Sequence, residues 1–456
     1  MGSRILLLAF LLAAVAGAQT GTTSETELLK RLLQRMDDLE QQNRQLTKEV
    51  HALRQEITAS HSPQTATEQP PPAPAGPTLD ERVSVNENRI NEQSQTKVEA
   101  SQKFPISLHG MFLFNSFLNT GAADADSPGS YPNGLIGPNS AGATLRQSII
   151  GLRFQGPSLP GGGRVWGDLM MDFYSGPPSP GNNWLRIRRG TLSFDWTNRA
   201  FTVGQDKPLI SPREPNSLAE VGVPPLSGAG NLWLWLPQAR YEERFHFGQT
   251  NGLTAQVAVM QTDETSAYVP PELGYSLERS RPAIEGRLAF WHKWDDTKRF
   301  ELAPGFHAST THVADTHTDS RIASLDWLIV PWSKLEISGA FLHGRNFAGV
   351  GGLPQGFTIL RDNDVIPVHS NAGWLQISSP ITNRLTLNLF GGIQNNRASD
   401  LLSTDIARNI SYAGNLMYHI GPNVIVSLEG LQVRTRLLDS RDQILNRYDL
   451  ALAYLF

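Results

Sequence analysis

The chain has 456 residues, a formal net charge of −4, a mean hydropathy of −0.28 and no cysteine. The lack of cysteine excludes thiol catalysis, cysteine-ligated metals, disulfides and a lipid-modified N-terminal cysteine, and the charge balance does not suggest nucleic-acid binding. This composition is too polar for a helical membrane protein, but it suits a transmembrane β-barrel, in which only every second strand residue faces lipid.

The first 18 residues predict a secretion signal. Arg4 supplies the positive start, residues 5–15 form an unbroken apolar run, and residues 16–18 are small enough for a cleavage site. A membrane anchor is disfavoured because the run is shorter than the ~20 apolar residues that a membrane helix needs. No later stretch reaches that length either. We therefore expect residues 1–18 to be removed after export.

Residues 24–58 predict a parallel α-helical coiled coil. Their apolar positions alternate in steps of three and four, which is a heptad seam. A single surface helix would instead carry a broader stripe that drifts at 3.6 residues per turn. The expected seam positions are Leu29, Leu32, Met36, Leu39, Asn43, Leu46, Val50, Leu53 and Ile57.

The same heptads favour a homotrimer. Arg35 and Glu40 occupy g and e positions that attract each other between neighbouring parallel chains. Residues 35–40 also match the Arg-h-x-x-h-Glu pattern of short trimeric coiled coils. Asn43 at a core position fixes the register, and because it also suits a parallel dimer, the dimer remains the alternative.

The segment after the coiled coil has two parts. Residues 60–78 consist largely of Ser, Thr, Gln, Ala and Pro, which predicts an extended, semi-rigid linker. Residues 79–103 predict a short helical neck that continues the bundle toward the membrane.

From residue 104 onward the pattern predicts an all-β transmembrane barrel of about 16 antiparallel strands. Segments of alternating apolar and polar residues are joined by connections that alternate between short and long, as periplasmic turns and external loops do. The predicted strand starts lie near Ile106, Thr144, Arg164, Trp184, Ala200, Arg240, Leu253, Pro282, Arg299, Arg321, Leu335, His369, Leu385, Asn409, Val424 and Arg447.

The last strand has its own signature. Large apolar residues occupy every second position from 448 onward, which predicts a strand with one apolar face. This pattern, with its final Phe, resembles the terminal strand that serves as the assembly signal of bacterial outer-membrane proteins. The candidate assembly residues are Tyr448, Leu450, Leu452, Tyr454 and Phe456.

The basic residues of the barrel are candidates for the pore lining. Guanidinium groups around a water-filled channel favour anions, whereas the alternative is that they pair with Asp168, Asp172, Glu242 and Glu285 as wall scaffolding. An Arg facing lipid at the membrane centre costs ~2–4 kcal/mol, so residues 184–196 require a bulge near Arg189. The pore candidates are Arg153, Arg186, Arg188, Arg189, Lys207, Arg213, Arg240, Arg244 and Arg287.

Aromatic residues near the strand ends predict two girdles at the membrane interfaces. We assign to these girdles Trp184, Trp196, Trp233, Trp235, Trp291, Trp294, Trp327, Trp332 and Trp374.

Catalysis is not expected, because the chain lacks the nucleophile elbow, the Walker loop and the His-Glu-x-x-His motif. His307, His312 and His317 recur at intervals of five, but this spacing alternates between the faces of a strand. We therefore predict no metal site and no cofactor.

The signal peptide, coiled coil, Pro-rich linker and barrel together resemble the trimeric outer-membrane porins with N-terminal coiled coils, including DcaP-like porins and, more loosely, phosphate-selective porins. The place of residues 206–232 as third external loop also matches the porin constriction loop. The resemblance implies an outer-membrane barrel among lipids, with its coiled coil in the periplasm, that passes small hydrophilic, anionic solutes. The alternative is a structural anchor that links the barrel to peptidoglycan.

Overall fold

A computed structural model describes residues 106–456 apart from 122–138, 177–182, 265–268, 270–272, 275–276, 279–280, 314–315 and 361–363. The expected signal peptide (1–18), coiled coil (24–58), linker (60–78) and neck (79–103) lie outside the described residues, as do all the predicted seam positions. In the part of the chain that is described, no helix is long and apolar enough to cross a membrane.

Most of the described residues lie in β-strands. The strands are β1 (Ile106–Asn119), β2 (Ser140–Thr144), β3 (Ile149–Leu159), β4 (Gly163–Ser175), β5 (Trp184–Asp195), β6 (Arg199–Asp206), β7 (Leu236–Phe247), β8 (Asn251–Gln261), β9 (Pro282–Lys293), β10 (Arg299–Val313), β11 (Thr316–Trp332), β12 (Leu335–Arg345), β13 (Phe357–Ile359), β14 (Val365–Pro367), β15 (His369–Pro380), β16 (Leu385–Asn396), β17 (Ile406–His419), β18 (Val424–Leu437) and β19 (Gln443–Leu455). Single 3₁₀ turns lie at Pro160–Gly162, Ala348–Val350 and Ala398–Asp400.

These strands build a closed antiparallel barrel. A 17-stranded sheet runs through the described residues, and β2 and β3 both pair with β1 as two halves of one interrupted strand, which leaves 16 barrel strands. The β1–β19 pairing closes the barrel, from Met111 opposite Leu455 to Asn119 opposite Arg447. The small β13–β14 hairpin stands apart. The predicted barrel and its strand number are therefore confirmed.

The outer and inner faces of the wall differ as a transmembrane barrel requires. On β19, Tyr448, Leu450 and Leu452 point outward and are exposed, whereas Arg447 and Asp449 point inward and are buried. The candidate assembly residues therefore share the outer face. The same alternation on β9 and β17 agrees with the sequence pattern.

A bulge in β5 lets Arg186, Arg188 and Arg189 all avoid the lipid face. Met170 of β4 lies opposite Arg189, but the next residue, Met171, lies opposite Ile187, so Arg188 has no partner in the register. The extra residue shifts the phase of the strand, and both Arg186 and Arg189 contact inward carboxylates. The bulge predicted near Arg189 is thus present at Arg188.

The connection between β6 and β7, here called L3 (residues 207–235), folds into the barrel. Its apolar side chains form buried clusters with the inner wall. Leu218 and Val221 pack with Leu113 of β1, and Leu226 packs with Trp374 of β15. L3 therefore covers part of the inner wall through hydrophobic packing.

This inner core corrects part of the expected aromatic girdle. Trp233 and Trp235 belong to L3, and Trp374 is buried on the inner face. Trp291 also lies on the inner face of β9, in edge contact with His246. The prediction failed for Trp233, Trp235 and Trp374 because an inserted loop needs apolar partners on the wall it covers. It failed for Trp291 because this residue shares the inward phase of Glu285 and Arg287 on β9.

Candidate pore constriction

The start of L3 is held by a buried pair on the wall. The Leu209 backbone N–H donates to Glu285 Oε2 at 2.6 Å, and Glu285 Oε1 lies 2.9 Å from His307 Nδ1. Both side chains of this pair are fully enclosed. Since a buried carboxylate without partners is costly, the three groups stabilise one position of the loop.

The middle of L3 bonds to the far wall of the barrel. The Asn216 backbone N–H donates to Gln376 Oε1 at 2.5 Å, and Ser217 Oγ donates to Glu429 Oε2 at 2.7 Å. L3 therefore crosses the lumen from its root between β6 and β7 to β15 and β18.

The end of L3 lies directly against the barrel backbone. Gly230 has φ +106°, and a Cβ at this position would meet the Gly373 carbonyl oxygen at 2.3 Å. Only glycine combines this φ with so close an approach. Gly230 therefore lets the loop backbone touch β15.

Between L3 and the β4–β9 part of the wall, a cavity of about 420 Å³ remains. Among its charged lining residues, basic groups outnumber carboxylates by five to two, and one aromatic ring joins them. The basic and aromatic members are Arg188, Arg189, Lys207, Arg240, Arg287 and Trp235, and the acidic members are Asp206 and Glu214. The structure thus brings five of the nine predicted pore residues together.

Two carboxylates near this cavity are each shared by two arginines. Asp172 lies 2.6 Å from Arg186 Nη2 and 3.8 Å from Arg188 Nε. Asp168 lies 2.8 Å from Arg189 Nη2 and 3.8 Å from Arg153 Nε. Each set of two arginines and one aspartate therefore carries a net charge of about +1.

The other candidates are more evenly paired. Arg213 and Arg287 share Glu301 and Asp326, and Arg244 bonds to both Asp195 and Glu242. The remaining pairs are Arg240 with Asp206 at 3.1 Å, and Lys207 with Glu214. Positive charge is therefore in excess around Arg188 and Arg189, and negative charge is in excess around Arg244.

Arg188 has the least complete set of partners. Its Cζ lies 4.6 Å from the centre of the Trp235 ring, where a cation–π contact holds the side chain. Its Nε and Nη1 are buried and, among the described residues, have no hydrogen-bond acceptor. A buried donor without an acceptor is unfavourable, so the described residues leave these two donors unsatisfied.

Asp326 is the main inward group that the sequence reasoning missed. It bonds to both Arg213 and Arg287, and its only sequence signal was its inward phase in β11. Glu285, named as a partner for the arginines, instead holds Leu209 and His307. Asp168, Asp172 and Glu242 do pair with arginines, as the scaffold alternative expects.

The three regularly spaced histidines do not form one group. His307 is buried beside Glu285, whereas His312 and His317 contact each other with ring centres 3.8 Å apart and ring planes tilted by 53°. Across the described residues, no group of three His, Asp or Glu side chains is arranged to hold a metal ion.

A closed barrel of 16 strands with an apolar outer face, a polar inner face and an inserted third loop has the porin fold. No protein-family model and no curated protein sequence matches the chain. Among solved structures, the chain is similar to the outer-membrane channel DcaP of Acinetobacter baumannii, with 16% identity, a TM-score of 0.64 and coverage of 77% of this chain and 97% of that chain. It is also similar to the anion-selective porin from Comamonas acidovorans, with 12% identity, a TM-score of 0.53 and coverage of 77% and 99%.

Proposed function

We propose that this protein is an outer-membrane porin through which small hydrophilic solutes diffuse passively, with a preference for anions. The arginine-lined cavity beside L3 is the observation that carries this proposal. A second support is the fold that the chain shares with the channel DcaP and with a porin described as anion-selective.

The preference for anions follows from uneven charge pairing. Around Asp168 and Asp172, four arginines face two carboxylates. Fixed positive charge in a narrow aqueous passage raises the local concentration of anions. The effect should weaken with salt, because the Debye length falls from ~30 Å at 0.01 M to ~3 Å at 1 M ionic strength.

Replacing Arg188 by Gln is expected to lower the anion-over-cation permeability ratio by about twofold or more at low salt. The triple variant Arg186→Gln, Arg188→Gln, Arg189→Gln should have a still lower anion-over-cation permeability ratio, because Asp168 and Asp172 keep their negative charges. The measurement is the reversal potential across a KCl gradient in planar bilayers.

Arg199→Gln is the matched control for this experiment. Arg199 lies on the outer face of β6, opposite Glu243 of β7 and away from the cavity. Its loss should leave the reversal potential unchanged. A cation-selective parent, or an Arg188→Gln channel identical to the parent, would mean that the arginines are wall scaffolding.

We further propose that the protein is a homotrimer joined by a periplasmic coiled coil over residues 24–58. The heptad seam, from Leu29 to Ile57, supports this assembly. Deleting residues 24–58 should lower the trimer fraction in detergent and leave the β-type circular dichroism unchanged. Light scattering coupled to size-exclusion chromatography measures the first effect, and a full-length protein that is strictly monomeric or dimeric would refute the trimer.

A further inference from the structure

The outer face of the barrel carries a group of arginines where β17 begins and β18 ends. These are Arg408, Arg434 and Arg436, here called the rim patch. Farther along the same outer faces toward the short turns, the residues are apolar or aromatic and exposed, among them Leu416 and Leu428. The rim patch thus lies at the border of the apolar band, at the end of the barrel from which the long loops emerge.

Two arginines of the rim patch face each other directly. Arg408 lies opposite Arg436 in the β17–β18 register, an arrangement in which like charges destabilise a sheet. Asp442 stands between them, 2.6 Å from Arg436 Nε and 3.5 Å from Arg408 Nη2. The hydrogen bond from Arg436 lowers the pKa of the Asp442 carboxyl, and the charge of Arg408 lowers it further.

The third arginine has only neutral partners. Arg434 donates from Nε to Gln432 Oε1 at 2.5 Å and from Nη2 to the Tyr412 hydroxyl at 3.0 Å. Within the described part of the chain, no carboxylate lies within ion-pair distance of Arg434. The rim patch therefore holds three positive charges against the single carboxylate of Asp442.

Neighbouring polar side chains hold the rim patch in place. Gln432 Nε2 donates to Asn446 Oδ1 at 2.6 Å, and Asn446 Nδ2 donates to Thr120 Oγ1 at 3.3 Å. This row joins the outer faces of β18, β19 and the end of β1. The Arg434 guanidinium also lies 5.7 Å from the Tyr412 ring centre, so its position is fixed before any ligand binds.

At the short-turn end of the outer face, Arg199 of β6 lies directly opposite Glu243 of β7, one positive charge against one negative charge. The rim patch lies at the other end, near the long loops, where the outer leaflet would meet the barrel.

We propose that the rim patch binds the phosphate groups of an outer-leaflet glycolipid. An arginine fork matches phosphate oxygens and binds them through charge-assisted hydrogen bonds. A headgroup at this border would offset the repulsion between Arg408 and Arg436, while its acyl chains lie on the apolar band below. The inference rests on the proposed function only in that the barrel spans the outer membrane, since the rim patch takes no part in the channel.

The test is titration of the purified full-length protein in detergent with bis-phosphorylated lipid A, followed by native mass spectrometry. The double variant Arg434→Gln, Arg436→Gln should bind at least tenfold more weakly than the parent. Asp442→Asn removes the carboxylate that pairs with Arg408 and Arg436, so this variant should bind the lipid more tightly than the parent. Arg199→Gln is the matched control and should bind as the parent does.

Two further arms decide whether the lipid phosphate is recognised. Dephosphorylated lipid A should bind the parent as weakly as phosphorylated lipid A binds the double variant. Inorganic phosphate at millimolar concentration should bind the parent and the double variant equally. The proposal would be overturned if the parent bound both forms of lipid A equally, or if the double variant bound phosphorylated lipid A as the parent does. It would also be overturned if free inorganic phosphate bound the parent but not the double variant.

Channel measurements separate this proposal from the proposed function. The double variant should keep the parent's conductance and reversal potential in bilayers of neutral lipid. A parent without conductance would refute the porin function alone, whereas lipid binding that does not depend on the rim patch would refute this inference alone.

Discussion

Deleting Phe456 is expected to reduce the amount of folded barrel in the outer membrane about tenfold, which corresponds to a loss of ~1.4 kcal/mol in assembly free energy. Phe456 pairs with β1 beside the closing seam, where its N–H donates to the Gly110 carbonyl at 3.1 Å and its carbonyl accepts from the Gly110 N–H at 2.9 Å. Its ring fills the space that a side chain at Gly110 would occupy. The deletion removes the last backbone pair of the seam and the final residue of the proposed assembly signal.

The measurement is gel electrophoresis of unheated and heated outer-membrane fractions at native expression, in which the folded barrel gives a band that shifts on heating. The intensity of this band reports the amount of folded protein. Phe247→Ser is the matched control, because Phe247 is an exposed outward aromatic residue at the end of β7, far along the sheet from the seam. Its level should stay close to that of the parent. Equal levels of the parent and the deletion variant would contradict the role given to Phe456.

Replacing Glu285 by Ala is expected to destabilise the barrel and to raise both the conductance and its noise. The change leaves the Leu209 N–H without its acceptor and His307 Nδ1 without its partner. Each buried polar group left unsatisfied costs about 1–3 kcal/mol. The first attachment of L3 is then lost, so the loop is expected to move away from the wall.

Thermal denaturation in detergent and single-channel recording together measure this effect. Glu243→Ala is the matched control, since Glu243 lies on the outer face of β7 beside Tyr241 and does not touch L3. It should change neither the denaturation temperature nor the conductance. An intact conductance in Glu285→Ala would show that the other attachments suffice to hold L3.

The strand layout was predictable because it depends on the two-residue period of apolar side chains and on the free-energy cost of exposing charged side chains to lipid. Alternation between Tyr448 and Phe456 defines the outward phase of a strand whatever the rest of the sheet does. The bulge at Arg188 was predictable for a similar reason, since no other phase keeps Arg186 and Arg189 away from lipid. Both conclusions need only the local sequence and the solvent on each side of the wall.

The interior was harder to predict because it depends on long-range packing. Trp374 was assigned to an interface girdle, yet it lies under Leu226 of a loop that is distant in sequence. The shared carboxylates Asp168 and Asp172 likewise follow from strand register and not from composition. The rim patch also needed the register, since Arg408 and Arg436 become neighbours only when β17 and β18 pair.

The contact between L3 and the closing seam has a consequence for the stability of the barrel. Leu218 of L3 packs with Leu113 of β1 and Ala451 of β19, one residue from each side of the seam. Asn115 Nδ2 of β1 also donates to the Leu218 carbonyl at 2.5 Å. These contacts let the inserted loop and the closed seam stabilise each other, so a barrel without L3 in place would have a weaker seam. The element that narrows the lumen is thus also a clamp on the join of the cylinder.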